Sequence, residues 1–308
     1  LVARATDAYE GARNKVARFL GAAQTEEIIF VRGTTEGINL IAKTWGAQNV
    51  GEGDEIIVSH LEHHANIVPW QLVAERTGAR IRVAELTPAG ELDLDALWKA
   101  MTPEVQLLGL AQVSNVLGTV NPVRGICREA RKRGIITVID GSQAAPHRTL
   151  DVAAIGCDFY AITGHKMCGP TGTGALWARR EHLQAMPPFI GGGEMIKEVS
   201  FDGTVFNDAP HKFEAGTPNI AGFVGLGDAA GVEVERLAHE AAQDVDVDRL
   251  ADEIERAGLE RFHRGLDVAV GGDDRDRGGG EAGGDFADQF QPGTVGQAHV
   301  GQAQVVGD

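Results

Sequence analysis

Residues 135–166, IITVIDGSQAAPHRTLDVAAIGCDFYAITGHK, decide the fold of this chain. Two short apolar runs in this stretch, Ile135–Ile139 and Asp158–Ile162, are rich in strand-forming residues and are bounded by residues that break strands. Each run therefore predicts a buried parallel strand. Asp140 follows the first run at once, and Lys166 follows the second after a short turn. Because the chemistry of open α/β sheets lies just past the carboxyl ends of the strands, we expect both side chains at one rim.

A carboxylate and an amine at one rim suit pyridoxal phosphate (PLP). In such sites the lysine forms the Schiff base, and the aspartate keeps the pyridine nitrogen protonated. A lysine buried here would have a lowered pKa and become nucleophilic. Two ordinary alternatives stay open. Lys166 is a solvated loop lysine, and Asp140 is a helix N-cap, with Gln143 closing a capping box instead of reaching a ligand.

Strand and helix patterns alternate along most of the chain, which predicts an α/β domain with a mainly parallel, doubly wound sheet of seven strands. The other strands are predicted at Ile28–Val31, Glu55–Ser59, Ile81–Leu86, Leu107–Val113 and Gly174–Ala178. Helices are predicted at Tyr9–Leu20, Ile38–Trp45, Ala65–Thr77, Leu94–Met101, Val123–Arg133 and Ala221–Leu237. Thr34 or Thr35 would cap the second helix and leave free N–H groups facing a ligand.

Composition excludes several classes of function. The formal net charge of −16 argues against nucleic acid or an anionic membrane as a partner. No stretch approaches the roughly 20 apolar residues of a membrane span, and no export signal is visible. The three cysteines, Cys127, Cys157 and Cys168, have neither paired spacing nor a zinc pattern. We expect them to be buried or half-buried thiols in a reducing cytoplasm.

Further polar residues follow other predicted strands. His63 and His64 are adjacent, so their side chains point apart and support a metal site only weakly; the usual role is surface or core hydrogen bonding. His63 is the better placed to lie flat on an aromatic cofactor. Asn115 is either a turn former or a donor to a ring hydroxyl or substrate carboxylate. Thr163 and His165 could donate to a phosphate.

The character of the chain changes near its C-terminus. Gly271–Gly280 is GGDDRDRGGG, and residues 281–308 are rich in Gly, Gln and Asp. This composition is poor in the large apolar residues of a core, so we expect at most a helix near Val245–Ala257, followed by disorder. The predicted domains are therefore a large domain over residues 1–240 and an atypical tail over residues 241–308.

Six stretches together resemble class V aminotransferase-like PLP enzymes, and among them the Suf-type cysteine desulfurases with their selenocysteine lyase relatives. They follow in family order between residue 5 and about residue 238, and they are VRGTTEGINLIA, SHLEHHANIVPW, VSNVLGTVNP, IDGSQAAPH, CDFYAITGHKMCGPTGTGALW and KFEAGTPN. The resemblance implies the PLP-dependent transferase fold type I, in which a large domain with a seven-stranded sheet and helices on both faces is joined to a small C-terminal domain.

The resemblance also implies a role for each matching residue near the ring. Lys166 looks like the Schiff-base lysine, and Asp140 is similar to the aspartate on the pyridine nitrogen. Gln143 resembles the residue that bonds the ring hydroxyl. His63 looks like the imidazole stacked on the ring. Asn115 is similar to the asparagine on the side of the ring hydroxyl and substrate carboxylate.

The phosphate end is implied in the same way. Thr35, Thr163 and His165 resemble the phosphate binders, and Thr34 lies beside Thr35 at the same helix terminus. In the family dimer, the threonine that matches Thr217 reaches the phosphate of the neighbouring subunit. An alternative for Thr217 is that its turn simply caps the last helix.

The chain departs from the family pattern at both ends. Family members begin earlier, with a segment that carries a histidine near the active site. Their C-terminal domain carries a catalytic cysteine and an arginine for the substrate carboxylate. Nothing after residue 240 resembles either, and no cysteine follows Cys168. We therefore expect a chain truncated at both ends, with the small domain absent or degenerate.

The implied activity is that of a cysteine desulfurase, which converts L-cysteine into L-alanine and an enzyme persulfide for iron–sulfur cluster assembly. The implied partners are a second copy of the chain, in a homodimer, and a sulfur-accepting scaffold protein. Cys168 lies at a position the family does not use, and a thiol without a pKa-lowering neighbour is usually inert. The alternatives are a selenocysteine lyase, an aminotransferase or epimerase on the same scaffold, and a catalytically dead remnant that binds PLP.

Overall fold

The computed structural model describes residues 2–243, which lie in one compact unit, Leu1–Val245. Its centre is a seven-stranded sheet with the order β1-β7-β6-β5-β4-β2-β3. In this sheet β7 is antiparallel to both of its neighbours, and the other pairs are parallel. Its strands are β1 Ile28–Val31, β2 Glu55–Ser59, β3 Arg80–Ala84, β4 Val105–Ala111, β5 Ile136–Asp140, β6 Phe159–Thr163 and β7 Gly174–Ala178. A separate hairpin pairs β8 (Ile196–Ser200) with β9 (Gly203–Phe206).

Helices cover both faces of the sheet. They are α1 Val2–Leu20, α2 Thr34–Ile41, α3 Ala47–Asn49, α4 Val68–Thr77, α5 Leu94–Ala100, α6 Val123–Lys132, α7 Val152–Ile155, α8 Arg180–Ala185 and α9 Ile220–Gln243. A π-helical turn, Ala42–Gly46, joins α2 to α3. Alternate residues of β1 serve the two faces: Ile28 packs in the cluster that holds α1 and α9, and Ile29 packs in the cluster that holds α2. This is the two-residue period of a strand buried on both sides.

The predicted fold class is confirmed, and the differences concern element ends. The predicted strand Leu107–Val113 ends earlier, at Ala111, because Val113 forms an isolated antiparallel bridge with Val120 and leaves the sheet. The predicted strand Ile81–Leu86 also ends early, since Leu86 bridges to Leu92.

The predicted helix Ala65–Thr77 begins as a separate 3-10 turn, His64–Asn66, and α4 starts only at Val68. Pro69 lies in the first turn of α4, where its missing N–H costs nothing. The short helices α7 and α8 and the β8–β9 hairpin were not predicted. The hairpin is almost wholly exposed, so it carries no alternating apolar pattern.

The prediction that Thr34 or Thr35 caps α2 is wrong. Gly33 is the N-cap, with φ 150°, a conformation that L side chains rarely adopt. Thr34 and Thr35 are already in the first helical turn. The predicted helix near Val245–Ala257 and the tail after it lie outside the described residues.

The register of β7 aligns the carboxyl ends of its two neighbouring strands, β1 and β6. Gly174 pairs with Val31 of β1 on one side and with Thr163 of β6 on the other. A Cβ at position 174 would lie 2.5 Å from the carbonyl oxygen of Ile162 and 2.7 Å from Cα of Gly33, so only glycine allows this approach. The carboxyl ends of β1 and β6 therefore lie at one edge of the sheet.

Candidate active site

A cavity of about 580 Å³ opens at this edge of the sheet. It brings together side chains from the ends of β1, β2, β5 and β6, which are far apart in sequence. Its lining is Arg32, Gly33, Thr34, Thr35, Glu36, Asn39, Lys43, His63, Ala65, Asp140, Ser142, Thr163, His165, Lys166, Gly172 and Phe189. Such an edge is where open α/β sheets bind their ligands.

Asp140 and Lys166 line the cavity from neighbouring strands. Asp140 is the last residue of β5 and is only 6% exposed, and its Oδ1 accepts a hydrogen bond of 2.9 Å from the backbone N–H of Ser142. Residues 142–147 form turns, so the alternative in which Asp140 caps a helix and Gln143 closes a capping box is wrong. Lys166 ends a single 3-10 turn, Gly164–Lys166, after β6 and is half-buried. An acid and an amine thus face one cavity.

The end of the cavity at α2 suits an anion. As in any helix, the first backbone N–H groups of α2 have no partner within the helix, and the macrodipole places positive potential there. The Thr34 hydroxyl is buried and lies 2.7 Å from Oγ of Ser142. Thr163 Oγ1 lies 3.0 Å from Nδ1 of His165. These hydroxyls and N–H groups are the donors that phosphate oxygens need.

His63 lines the cavity from the turn after β2. Its side chain is exposed, and its Nδ1 accepts a hydrogen bond of 3.1 Å from the backbone N–H of Ala65. The preceding residue, Glu62, is buried, and burial raises the pKa of its carboxyl to about 7. The charge of Asp140 adds to this rise in pKa, while hydrogen bonds from Ser59 and Asn66 oppose it.

Three residues singled out by the sequence do not line this cavity. Asn115 is exposed in a turn that is held by Ser114, whose Oγ accepts from the backbone N–H of Val116. Gln143 is half-buried in the turns after β5. Thr217 is exposed and lines an adjoining cavity of about 410 Å³.

Thr217 belongs to the turn before α9. In that turn Asn219 caps the helix, since its Oδ1 accepts from the backbone N–H of Gly222 at 3.1 Å. Phe189 and Gly172 line both cavities, so the two are neighbours. Asn219 therefore supplies the side chain that caps α9. The side chain of Thr217 is not needed for that capping.

Several cavity residues escaped the sequence reasoning. Ser142 follows Asp140 and Gly141 directly, and this position just past a strand end is a signal for a site residue. The carboxylate of Glu36 accepts a hydrogen bond of 2.6 Å from the backbone N–H of Arg32 and one of 2.9 Å from the Nε of the Arg32 side chain. The i,i+4 spacing of the two residues is typical of such a pair. Phe189 comes from the loop after α8, where no motif marks it.

The cysteines divide into two kinds. Cys127 and Cys157 are buried, as predicted, and burial raises the pKa of Cys127 to about 12. Burial also raises the pKa of Cys157 well above that of an ordinary thiol. Cys168 is exposed, so the prediction of a buried or half-buried thiol is wrong there. It lies just past the 3-10 turn of Lys166 with φ 59°. A thiolate would form less readily at the two buried sites than at an ordinary cysteine.

The described residues include no group of three or more His, Cys, Asp or Glu side chains placed to hold a metal ion. Within the same part of the chain, no helix is long and apolar enough to cross a membrane.

Fold and site together define a class of protein. The family model described as aminotransferase class-V matches residues 1–256, and the chain belongs to that family. Its architecture is the large-domain sheet of fold type I, as the sequence predicted.

Within the family, the chain is similar to cysteine desulfurases. It is 65% identical over 247 residues to the "Probable cysteine desulfurase" of Xylella fastidiosa (strain 9a5c), covering 80% of this chain and 59% of the relative. It is 53% identical over 230 residues to the cysteine desulfurase of Klebsiella pneumoniae (strain 342), covering 74% of this chain and 57% of the relative. The crystal structure of the Escherichia coli cysteine desulfurase CsdA matches with a TM-score of 0.72 at 45% identity, covering 79% of this chain and 59% of that one. The chain thus spans about three fifths of the length of these relatives.

Proposed function

We propose that this chain is the PLP-binding large domain of a cysteine desulfurase. The observation that carries the proposal is the meeting of Lys166 and Asp140 in one cavity, at the ends of adjacent parallel strands. The sequence similarity to cysteine desulfurases supports the choice of this chemistry among class V enzymes.

The donor set of the cavity fits the cofactor. A protonated ring nitrogen needs a carboxyl oxygen as acceptor, and the carboxyl of Asp140 is held in place by the backbone N–H of Ser142. A phosphate needs several donors, and the α2 terminus supplies N–H groups beside the hydroxyls of Thr34 and Thr35. An aldehyde needs an amine, and Lys166 supplies it. When bound, PLP would act as an electron sink for bonds broken at the substrate α-carbon and the atoms beyond it.

The residues nearest the ring would divide the work. Lys166 would hold the cofactor through its amine, and the same amine, when not bonded to the cofactor, would carry protons. Asp140 keeps a proton on the pyridine nitrogen. His63, which lines the cavity, would cover one face of the ring. The resemblance also assigns Gln143 to the ring hydroxyl and Asn115 to the side of the substrate carboxylate, although neither lines the cavity in this chain.

The other residues would hold the phosphate. Four donors to the phosphate would come from the same chain as the cavity: Thr34, Thr35, Thr163 and His165. Thr217 reaches the phosphate of the neighbouring subunit in a homodimer. This assignment explains why Thr217 lies outside the main cavity of its own chain.

The proposed reaction takes the sulfur of L-cysteine and leaves L-alanine, with the sulfur passed on as a persulfide to an acceptor protein for iron–sulfur cluster assembly in the cytoplasm. The cysteine that receives the sulfur would come from the part of the relatives that this chain does not match. Cys168 is exposed and lies two residues after Lys166, at a position that the family resemblance does not use for the sulfur-accepting cysteine.

PLP binding tests the proposal directly. The purified protein is titrated with PLP while its visible absorption is followed, and the complex is reduced with borohydride and digested for mass spectrometry. We expect cofactor mass on the peptide that contains Lys166 and none in Lys166→Ala. Lys99→Ala, which removes a lysine outside the cavity, serves as the control. Cofactor fixed to another lysine, or no absorption change at all, would refute the assignment.

Turnover separates the candidate reactions. L-cysteine, L-selenocysteine and L-alanine are each offered to the PLP complex, together with a dithiol that reduces the released sulfur or selenium and a 2-oxo acid that accepts amino groups. Alanine, sulfide or selenide, and the aminated 2-oxo acid are measured. Alanine and sulfide from L-cysteine support the desulfurase, and preference for selenocysteine indicates a lyase. Binding of PLP without any product identifies a non-catalytic relative.

A further inference from the structure

Glu62 is a buried carboxyl that the proposed reaction does not use. It lies between buried Leu61 and exposed His63, where the chain turns outward. Its Oε1 accepts a hydrogen bond of 2.5 Å from the Ser59 hydroxyl, and its Oε2 accepts one of 2.7 Å from Nδ2 of Asn66. The carboxyl therefore joins the end of β2 to the far side of the turn that carries His63.

The chain of hydrogen bonds continues into α4. Asn66 is fully buried, and its Oδ1 accepts from Nε1 of Trp70 at 2.9 Å. Trp70 is fully buried as well and packs in the core cluster on the α2 side of the sheet. The series Ser59–Glu62–Asn66–Trp70, here called the Glu62 chain, thus ties a strand, a turn and a helix together.

A glycine in β4, Gly109, leaves room for the side chains of the Glu62 chain. A Cβ at Gly109 of β4 would lie 2.9 Å from Oδ1 of Asn66 and 3.2 Å from Nε1 of Trp70. A side chain at position 109 would therefore displace Asn66 from Glu62. The absence of a side chain at this point of β4 is therefore part of the arrangement.

His63 is held in the middle of this arrangement. Its backbone carbonyl accepts from the N–H of Asn66 at 2.8 Å, and its Nδ1 accepts from the N–H of Ala65. A neutral imidazole that accepts at Nδ1 carries its proton on Nε2. Both the position of the ring at the cavity and its tautomer depend on the turn that the Glu62 chain braces.

We propose that Glu62 is a positioning residue for His63, holding the turn so that the imidazole stands over the cavity with its proton on Nε2. Glu62 acts through Asn66 and the backbone of the turn, without touching the ligand. Only the cofactor arm of the test rests on the proposed function, because the state of His63 can be read in the protein alone.

The first arm of the experiment needs no cofactor. Protein labelled with ¹⁵N in its histidines is examined by NMR, and the His63 signals are assigned by their loss in His63→Gln. We expect a single neutral tautomer with the proton on Nε2 in the wild type and in Glu62→Gln, whose amide oxygen can still accept from Asn66. Glu62→Ala is expected to lose that signature and show mixed tautomers. Glu75→Ala, which removes an exposed carboxylate from α4, is the matched control.

The second arm is a double-mutant cycle on PLP affinity. We expect Glu62→Ala to weaken PLP binding by about tenfold, the low end of what loss of a supporting hydrogen bond costs at other sites. In the His63→Gln background the same substitution should have no further effect. If Glu62→Ala does not fold, Ser59→Ala breaks the other link of the Glu62 chain and is expected to act in the same direction.

The outcomes are distinct. An unchanged His63 spectrum in the alanine variant, or equal losses of PLP affinity with and without His63, overturns the positioning role. Absence of PLP binding in every variant overturns the proposed function and leaves the NMR arm to decide the role of Glu62.

Discussion

At the residue scale, the proton of Glu62 couples the site to the stability of the fold. Burial raises the pKa of its carboxyl from 4.5 to about 7, and the charge of Asp140 adds to the rise. The folded state thus holds this proton more tightly than the unfolded chain does. The stabilising contribution of protonated Glu62 is fully present below pH 4.5 and is lost as the pH rises towards 7.

Glu62→Gln is therefore expected to flatten this part of the pH dependence. Relative to the variant, the free energy of unfolding of the wild type should fall by about 3 kcal/mol between pH 4.5 and 7. Urea denaturation of both proteins across that window measures the difference. Glu75→Gln, which changes an exposed carboxyl of α4, is the control. A constant difference between wild type and Glu62→Gln at all pH values would contradict the assigned burial.

Gly141 offers a second prediction at this scale. A Cβ at this position would overlap the ring of Tyr160, which is fully buried and donates its hydroxyl to Oε1 of Gln112 at 2.5 Å. Gly141→Ala should therefore destabilise the fold by about 1–3 kcal/mol, the cost of overpacking. Because Asp140 is the preceding residue, PLP binding should weaken as well.

Thermal melts of Gly141→Ala test the first part, and PLP titration tests the second. The matched control is Gly125→Ala in α6, where an added Cβ would meet nothing within 4 Å. That change should stabilise by roughly 0.4–1 kcal/mol, since alanine favours helices and restricts the unfolded chain. Equal behaviour of the two variants would show that Tyr160 can move aside.

At the element scale, one buried ion pair connects α1 to the turn before α9. The guanidinium of Arg13 donates to both carboxylate oxygens of Glu214, at 2.7 and 2.9 Å, and to the carbonyl oxygen of Ile28 at 2.9 Å. Glu214 also accepts from the backbone N–H of Phe30 in β1. Because Thr217 lies three residues further on, this pair anchors the turn that carries it.

Arg13→Met should leave Glu214 as a buried charge without its cation. The expected loss is about 3–5 kcal/mol in the free energy of unfolding, the range for breaking one side of a buried pair. Lys15 lies on α1 like Arg13, but its ion pair with Asp228 of α9 is exposed. Lys15→Met should therefore cost no more than about 1 kcal/mol in the free energy of unfolding. Chemical denaturation of both variants compares them, and a loss as small for Arg13 as for Lys15 would argue that Glu214 finds other partners.

At the scale of the whole molecule, the described core is confined to the compact unit Leu1–Val245. All residues of its two described clusters lie between Tyr9 and Ala230, on opposite faces of the sheet. We therefore predict that a chain ending after Val245 folds by itself with a cooperative transition and the same midpoint of thermal unfolding. Calorimetry of the shortened and full chains measures this. A shortened chain that melts without cooperativity would place part of the core beyond Val245 and would contradict the predicted large domain over residues 1–240.

Local patterns accounted for the strands and for two site residues. The apolar runs of β1, β2 and β7 occur as predicted, because a strand buried on both faces is a short, continuous apolar segment that the sequence displays directly. Asp140 and Lys166 follow such runs, so their place at the sheet edge was predictable too. Resemblance to the family added a role for Thr217 that no local pattern suggests, and it chose between the two roles that the pattern left open for Asn115; both roles stay predictions.

Patterns along the chain therefore identified the seven strands of the main sheet, the longer helices and the polar residues at the strand ends, since these properties depend on neighbours in sequence. Only the tertiary structure decided that β7 enters antiparallel between β6 and β1, that Gly33 instead of Thr34 caps α2, and that Thr34 meets Ser142. It also decided the pairing of Arg13 with Glu214. These features join residues far apart in sequence, and strand order and register depend on which apolar surfaces meet, which hydrophobic periodicity does not specify.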